Sequence, residues 1–223
     1  MGRALKRDMP GCDWRVAPEE LGERGLDTVF GEGFPRPLPL VVDLGFGRGE
    51  FVMALAEKAP QTPFLAVEYS PKRVHKMARR LALTEVENVR LVHGRAEEVV
   101  AEHLPDGCVE CFWINCPDPW PKKRHHRRRL IQPAFVRELV RCLAPGGRLE
   151  VATDHAGYAE HVDEVLAAEP GLVNRNAPAA FLAEATDRPA TAYELEWRAQ
   201  GRSFHFFSYG KAPFSYGKAP AEG

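Results

Sequence analysis

Residues 38–58, LPLVVDLGFGRGEFVMALAEK, constrain the fold more than any other stretch. An apolar run of strand length carries Asp43 at its end and runs into three glycines, Gly45, Gly47 and Gly49. Phe51, Ala54, Leu55 and Lys58 then recur at helical spacing. A strand covered on both faces reads as an unbroken apolar run, and glycines let the chain turn sharply and let a ligand approach the following helix. The stretch therefore predicts strand, glycine turn and helix, the opening unit of a parallel α/β sheet.

The same beat recurs downstream. Pro60 and Pro63 stop the first helix, and residues 64–68, FLAVE, read as a second buried strand ending in Glu68. Ser70 and Pro71 open a helix predicted to run to Leu83, with Ser70 as N-cap. Further strands are predicted at 89–93, 109–115 and 148–153, the last entered through the turn Ala144-Pro145-Gly146-Gly147. Helices fall at 96–103, around 133–142 and at 155–168. Beyond Gly171 the period weakens, leaving a short helix at 192–197 and an aromatic strand at 203–209. This alternation predicts an α/β, doubly wound, mostly parallel sheet with helices on both faces.

Three parts are expected along the chain: a flexible N-terminal arm (1–37), a single domain (38–209) and a C-terminal tail (210–223). The tail arises because FSYGKAP occurs twice in tandem, at 207–213 and 214–220, and the second copy could compete with the first for one place in the sheet.

At 223 residues the chain suffices for one sizeable α/β domain, and a net charge of −1 gives no global basic excess. The distribution is more informative, with basic residues crowded at 72–80 and 122–129 and acids prevailing over 160–196. A locally basic face can hold a polyanion on a near-neutral protein, because screening makes nearby charges matter most. Five cysteines, an odd number, with no signal peptide point to the reducing cytoplasm. Cys108, Cys111 and Cys116 do not form paired metal motifs, and no metal is expected. No apolar run approaches the ~20 residues of a membrane span.

Two regions carry chemistry. At the glycine turn the spacing is GxGxG, and Glu50 stands near where a dinucleotide fold would seat a pyrophosphate. A carboxylate there repels phosphate, which disfavours a nicotinamide cofactor. Glu68 can accept hydrogen bonds from a ribose diol, and Asp43 can face an amine; helix capping and solvated strand ends are the alternative for both. An acidic, glycine-lined cleft without phosphate-binding features suits S-adenosylmethionine. The second region, residues 115–129, is NCPDPWPKKRHHRRR: a proline-stiffened turn with Asp118 and Trp120, then a dense basic run. A carboxylate and an aromatic ring beside such a run suit a base on a phosphate backbone. Trp120 can stack on a base or pack to fix the loop. The basic residues at 72–80 lie on a helix, where solvation and phosphate binding stand about even.

The succession FGEG (30–33), VVDLGFGRGEF, FLAVEYS, INCPDPWPKKRHHRRRL, APGGRLEVATDHAGYAEHV and TAYE resembles the bacterial tRNA (guanine-N(7))-methyltransferase family over residues 30–207. Its most specific part is DPWPKKRH followed by RR. The resemblance implies a class I, Rossmann-like methyltransferase fold on a seven-stranded sheet, S-adenosylmethionine as cofactor and a guanosine in the variable loop of tRNA as target. It implies cofactor contacts from Asp43, Gly45, Gly47, Gly49, Glu68, Arg95, Ala96 and Asp118, with Asp118 also the catalytic acid. It further implies substrate contacts from Lys122, Asp154, Thr191, Tyr193 and Glu194, and a monomer or homodimer in the cytoplasm. The chain departs from the pattern at Asp43, where the family usually has Glu, at Arg95, where an acid or amide is usual, and at Ala192, often basic.

The ring nitrogen N7 of guanine has an exposed lone pair and needs no deprotonation before it attacks a methyl group. A carboxylate near the base can hold it and favour the cationic product, the role expected of Asp118 with Asp154 in support. An amino-directed nucleic-acid methyltransferase is the nearest rival, because NCPDPW is similar to Asn-Pro-Pro-aromatic loops. A non-catalytic RNA-binding protein with a vestigial cofactor cleft is the rival from another class.

Overall fold

The computed structural model describes residues 8–213. Among the described residues, eight strands form one sheet in the order β1-β4-β3-β2-β5-β6-β8-β7. They are β1 (Arg15–Val16), β2 (Leu40–Leu44), β3 (Phe64–Glu68), β4 (Val89–His93), β5 (Val109–Asn115), β6 (Leu143–Thr153), β7 (Leu172–Asn174) and β8 (His205–Lys211). All run parallel except β8, which is antiparallel to both β6 and β7. The seven expected strands are thus joined by a two-residue strand at one edge.

Alternation of side chains puts a core on each face of the sheet. Val42, Leu44, Leu65, Val67, Phe112 and Ile114 face one way, with Phe135, Val136, Tyr158 and Val162 from α6 (Pro133–Cys142) and α7 (Ala156–Ala167). Val41, Phe64, Ala66, Cys111 and Trp113 face the other, under Phe51 and Val52 of α3 (Glu50–Lys58) and Val74 and Met77 of α4 (Pro71–Leu81). Ser70 occupies the N-cap position of α4 but makes no side-chain cap bond, so Pro71 at the first turn carries that boundary.

The expectation of a loose arm over 1–37 is corrected within the described residues. β1 pairs with β4, and α1 (Pro18–Glu23) and α2 (Leu26–Phe30) bury Leu21, Leu26, Val29 and Phe30 in the core. Buried Arg90 ties the segment down. Its Nε donates to Val29 O at 2.9 Å, and its guanidinium lies 4.5 Å from the Trp14 ring and 5.2 Å from the Phe30 ring. Helices of six and five residues separated by glycine show no period of their own and exist through such tertiary contacts.

Two further boundaries move. The helix expected at 96–103 is α-helical only over α5 (Ala96–Glu98) and widens to a π turn at Val99–His103. Arg141 satisfies carbonyls there, its Nη2 donating to Val100 O at 2.9 Å and its Nη1 to Leu104 O at 3.0 Å. β8 continues to Lys211, so the boundary expected at 210 falls inside a strand. The first FSYGKAP copy enters the sheet, and the second lies outside the described residues.

Candidate functional site

The strand order makes the site. β2 lies between β3 and β5, so the segments leaving the carboxyl ends of these three strands meet at the point where the chain reverses its winding, the usual place for a ligand in an open α/β sheet. Two adjoining cavities occupy that crevice, of about 410 and about 510 Å³. Both are bounded by Gly45, Arg73, Asn115, Cys116, Pro117 and Asp118.

The glycine turn closes one side. Gly45, Gly47 and Gly49 have φ of +84°, +60° and +82°, a region that glycine enters without steric cost. Glu68 stiffens the turn, with Oε2 accepting from Gly47 N–H at 3.0 Å and Oε1 from Ser70 N–H at 2.9 Å. Oε1 keeps a second lone pair for a hydroxyl, while Arg73 Nη1 also approaches Oε2, at 3.5 Å. The larger cavity is bounded by Glu68, Tyr69, Gly94, Arg95, Ala96 and Trp120, an acid and two aromatic rings that suit a nucleoside.

Among the described residues, Asp43 has no partner for its Oδ2 and Asn115 none for its Nδ2; both atoms are buried, and both residues border the smaller cavity. Burial pushes the Asp43 carboxyl up to about 7, with the Glu68 charge adding to the rise and Arg188 opposing it. An orphaned carboxylate and an orphaned amide donor in one crevice await a ligand that brings a cation and an acceptor. The amino acid moiety of S-adenosylmethionine brings both, so the residues present fit that group.

Asp118 is exposed and borders both cavities, the junction where a transferred group would pass. Its loop carries two residues in left-handed backbone, Cys116 (φ 49°) and Trp120 (φ 43°). Arg129 braces the loop from beneath: Nε donates to Pro119 O at 2.9 Å, and the guanidinium lies 5.0 Å from the Tyr158 ring. Arg129 is buried at 4% exposure, so it leaves the basic run read as meeting phosphate. Arg128 sits 5.0 Å from the Trp120 ring, and His125 meets that ring edge-on at 5.7 Å. Packing therefore occupies part of Trp120, which still borders the larger cavity. Lys122 is exposed at the start of the Lys123–Arg128 3₁₀ turn and borders neither cavity.

Asp154, just beyond β6, and Tyr193 close the far wall of the smaller cavity. Tyr193 Oη donates to Asp154 Oδ2 at 3.0 Å, and Arg202 pairs with the same oxygen while lying 3.6 Å from the Trp197 ring. Burial, reinforced by the bond to Asp154, pushes the Tyr193 phenol up to about 12. Thr191 is the N-cap of α8 (Ala192–Arg198), its Oγ1 accepting from Glu194 N–H at 2.9 Å. Glu194 is buried between Arg188 and Arg198 and does not reach the cavity, so the direct substrate contact expected of it becomes a structural brace. Arg95 turns toward Glu97 and Glu98 at 3.4 and 3.5 Å, while Gly94, Arg95 and Ala96 border the larger cavity. Arg188 and Arg202, which sequence reasoning missed, stand alone in an aperiodic segment, where no motif marks them.

Comparison with known proteins places the chain in a family. Residues 37–207 match a family model described as "Putative methyltransferase". The tRNA (guanine-N(7)-)-methyltransferase of Leifsonia xyli subsp. xyli is 42% identical over 188 residues, covering 84% of this chain and 81% of the relative. The chain belongs to the tRNA (guanine-N(7)-)-methyltransferase family. Its counterpart from Alkalilimnicola ehrlichii is 40% identical over 186 residues, covering 83% of this chain and 76% of the relative. Among solved structures, the 16S rRNA methyltransferase KamB superposes with a TM-score of 0.54 at 16% identity over 78% of this chain and 88% of that one, a likeness of fold alone. Among the described residues, no helix is long and apolar enough to cross a membrane.

Proposed function

We propose that this protein methylates N7 of a guanosine in the variable loop of tRNA, with S-adenosylmethionine as donor, in the cytoplasm. The observation that carries the reading is the pairing of a glycine-lined crevice, holding the buried acids Asp43 and Glu68, with Asp118 at the junction of its two cavities. Asp43 and Asn115 would hold the amino acid end of the cofactor, and Glu68 its ribose. When bound, the cofactor supplies a methyl group on a sulfonium, which departs as a neutral thioether as the N7–carbon bond forms. The remaining work belongs to the chain.

Guanine N7 carries its own lone pair, so no residue has to act as a base toward the nucleophile. Alignment and electrostatics are what the site can contribute. Asp118 accepts hydrogen bonds from the donor edge of guanine, which become stronger as the ring turns cationic. Asp154, fixed by Tyr193 and Arg202, stands on the opposite wall as a hydrogen-bond acceptor, its charge offset by Arg202. The exposed part of the 122–128 run neutralises phosphates. Of the two departures that permit the vestigial-cleft alternative, Arg95 and the shortened Asp43, the Arg95 side chain is engaged by neighbouring acids.

Incubation with labelled cofactor and unmodified tRNA, followed by nuclease digestion and mass spectrometry, should yield 7-methylguanosine. Label on an exocyclic amine would transfer the protein to the amino-directed class, and no label at all would remove the activity.

A further inference from the structure

A third concavity, of about 470 Å³, lies outside the crevice between the glycine turn and α4. Arg48, Lys72, Arg73, Lys76 and Arg80 surround it, with Glu50 the one carboxylate on its wall among the described residues and Met77 its apolar floor. The available acids neutralise it only weakly. Arg80 stands 3.9 Å from Glu50, Arg48 3.8 Å from Glu196 and Arg73 3.5 Å from Glu68. Among the described residues, neither Lys72 nor Lys76 has a carboxylate within ion-pair distance.

Arg79 and Arg80 in the last turn of α4 suit the helix dipole, but Lys72, Arg73 and Lys76 do not serve the helix. Its eleven residues include no acid, and Lys72 and Arg73 stand in the first turn, where the helix dipole disfavours cations. Lys72, Lys76 and Arg80 follow one another at i, i+4 spacing, a row of like charges that opposes the fold. Solvation alone would be served equally by mixed charges. A uniform row at intervals of about 6 Å matches an extended polyanion better. The concavity is also continuous with the reaction site. Arg73 borders it and both cleft cavities, and Arg48 and Gly47 border it and the smaller one.

We propose that this groove is a second phosphate-binding surface that holds the RNA backbone beside the target guanosine. The inference rests on RNA being the substrate. β3 and β5 flank β2 on opposite sides, so α4 and the 122–128 run bracket the crevice, and a chain bound across both would lay its target base between them. In this arrangement α4 sets affinity and register and takes no part in the chemistry.

The test compares wild type with K72Q/K76Q and the charge-keeping K72R/K76R, leaving Arg73 intact because it also borders the cleft. The Gln pair should weaken tRNA binding about 10-fold at moderate salt and lower the slope of log affinity against log salt by about 1.4–1.8. Cofactor affinity by calorimetry and kcat at saturating tRNA should match wild type, and the Arg pair should restore the slope. Unchanged affinity and slope in the Gln pair would overturn the groove, as would an Arg pair that falls with it. Competition by polyglutamate as strong as by tRNA would give the surface to an acidic protein and overturn it too. If wild type fails to methylate tRNA, the functional reading fails separately, while direct binding still decides the groove.

Discussion

The segments that follow β2 and β5 both turn sharply at the carboxyl edge of the sheet, one on glycines and the other on residues with side chains. After β2, Gly45, Gly47 and Gly49 take left-handed backbone without steric cost. After β5, Cys116 and Trp120 do so against a penalty of roughly 1–2 kcal/mol each. The first segment presents backbone N–H groups and lets neighbouring strands supply the acids. The second must present its own side chains, Asp118 above all, and glycine would remove them. Its strain is offset by contacts from outside the loop: Cys116 N–H donates to Ala152 O at 2.8 Å, and Arg129 holds Pro119 O. A cofactor needs a fixed cradle, whereas a base needs groups that reach toward it.

The largest effect should fall on the side-chain segment. Asp118→Ala should lower kcat about 10²–10³-fold, the range seen when one preorganised electrostatic contact is lost from a transition state. Cofactor binding by calorimetry should persist, since Asp43, Asn115 and Glu68 are untouched. Turnover at the wild-type rate would remove Asp118 from the reaction and erase the contrast between the segments.

Next in size comes the glycine segment, where damage should appear as stability. A Cβ on Gly49 would run into Met77 Sδ, and φ is left-handed, so Gly49→Ala should destabilise by about 2–3 kcal/mol in a denaturant melt. Gly45 has comparable φ but open space around the Cβ position, so Gly45→Ala should cost about 1–2 kcal/mol. The difference isolates packing of the turn on α4; equal losses would show that backbone conformation alone demands the glycines.

This division also explains what was legible in the sequence. β2 and β3 are buried on both faces and appear as near-continuous apolar runs within a residue or two of their true ends, and β4 and β5 do so too, interrupted by Arg90 and Glu110. The acids at strand ends could be placed for the same reason. β1, α1 and α2 were invisible because their support is tertiary: β1 pairs with β4, Leu21 of α1 packs in the core, and Arg90, 60–61 residues away in sequence, holds α2. Thr191-Ala-Tyr-Glu194 reads as a binding motif, yet Thr191 caps a helix and Glu194 braces two arginines; sequence spacing cannot tell a cap from a ligand contact. Arg129 has the same defect, indistinguishable in a run of cations until its burial is known.

A smaller effect concerns pH. The Asp43 carboxyl is raised to about 7 from an unfolded value near 3.8, so the folded state holds that proton more tightly. Its contribution to stability is complete below about pH 4 and is lost as pH rises through about 7. Asp43→Asn should therefore raise Tm at pH 8 by about 2–4 °C, roughly 1 kcal/mol, and give no advantage at pH 4. Glu150, raised to about 7 chiefly by burial, will keep part of the slope in the variant. Wild-type cofactor affinity should rise with pH through about 7, as the carboxylate forms to meet an ammonium, and the variant should bind weakly at every pH. A variant less stable than wild type at pH 8 would mean that Arg188 keeps Asp43 ionised in the free protein.

The smallest effect tests whether strain in the side-chain segment is fully offset. Cys116→Gly would relieve left-handed strain of roughly 1–2 kcal/mol. It would also add unfolded-chain entropy of about 0.5–1 kcal/mol and forfeit the packing of Cys116 against Ala152, Phe204 and Phe206. These terms nearly cancel, so stability should change by no more than about 1 kcal/mol. Cys116→Ala, which keeps the strain and loses the sulfur, should be the less stable of the two. Should the glycine variant gain well over 1 kcal/mol while methylation slows, the loop stores strain to hold Asp118 in place. Should it gain stability at full activity, the left-handed turn is incidental, and the two segments differ in side chains alone.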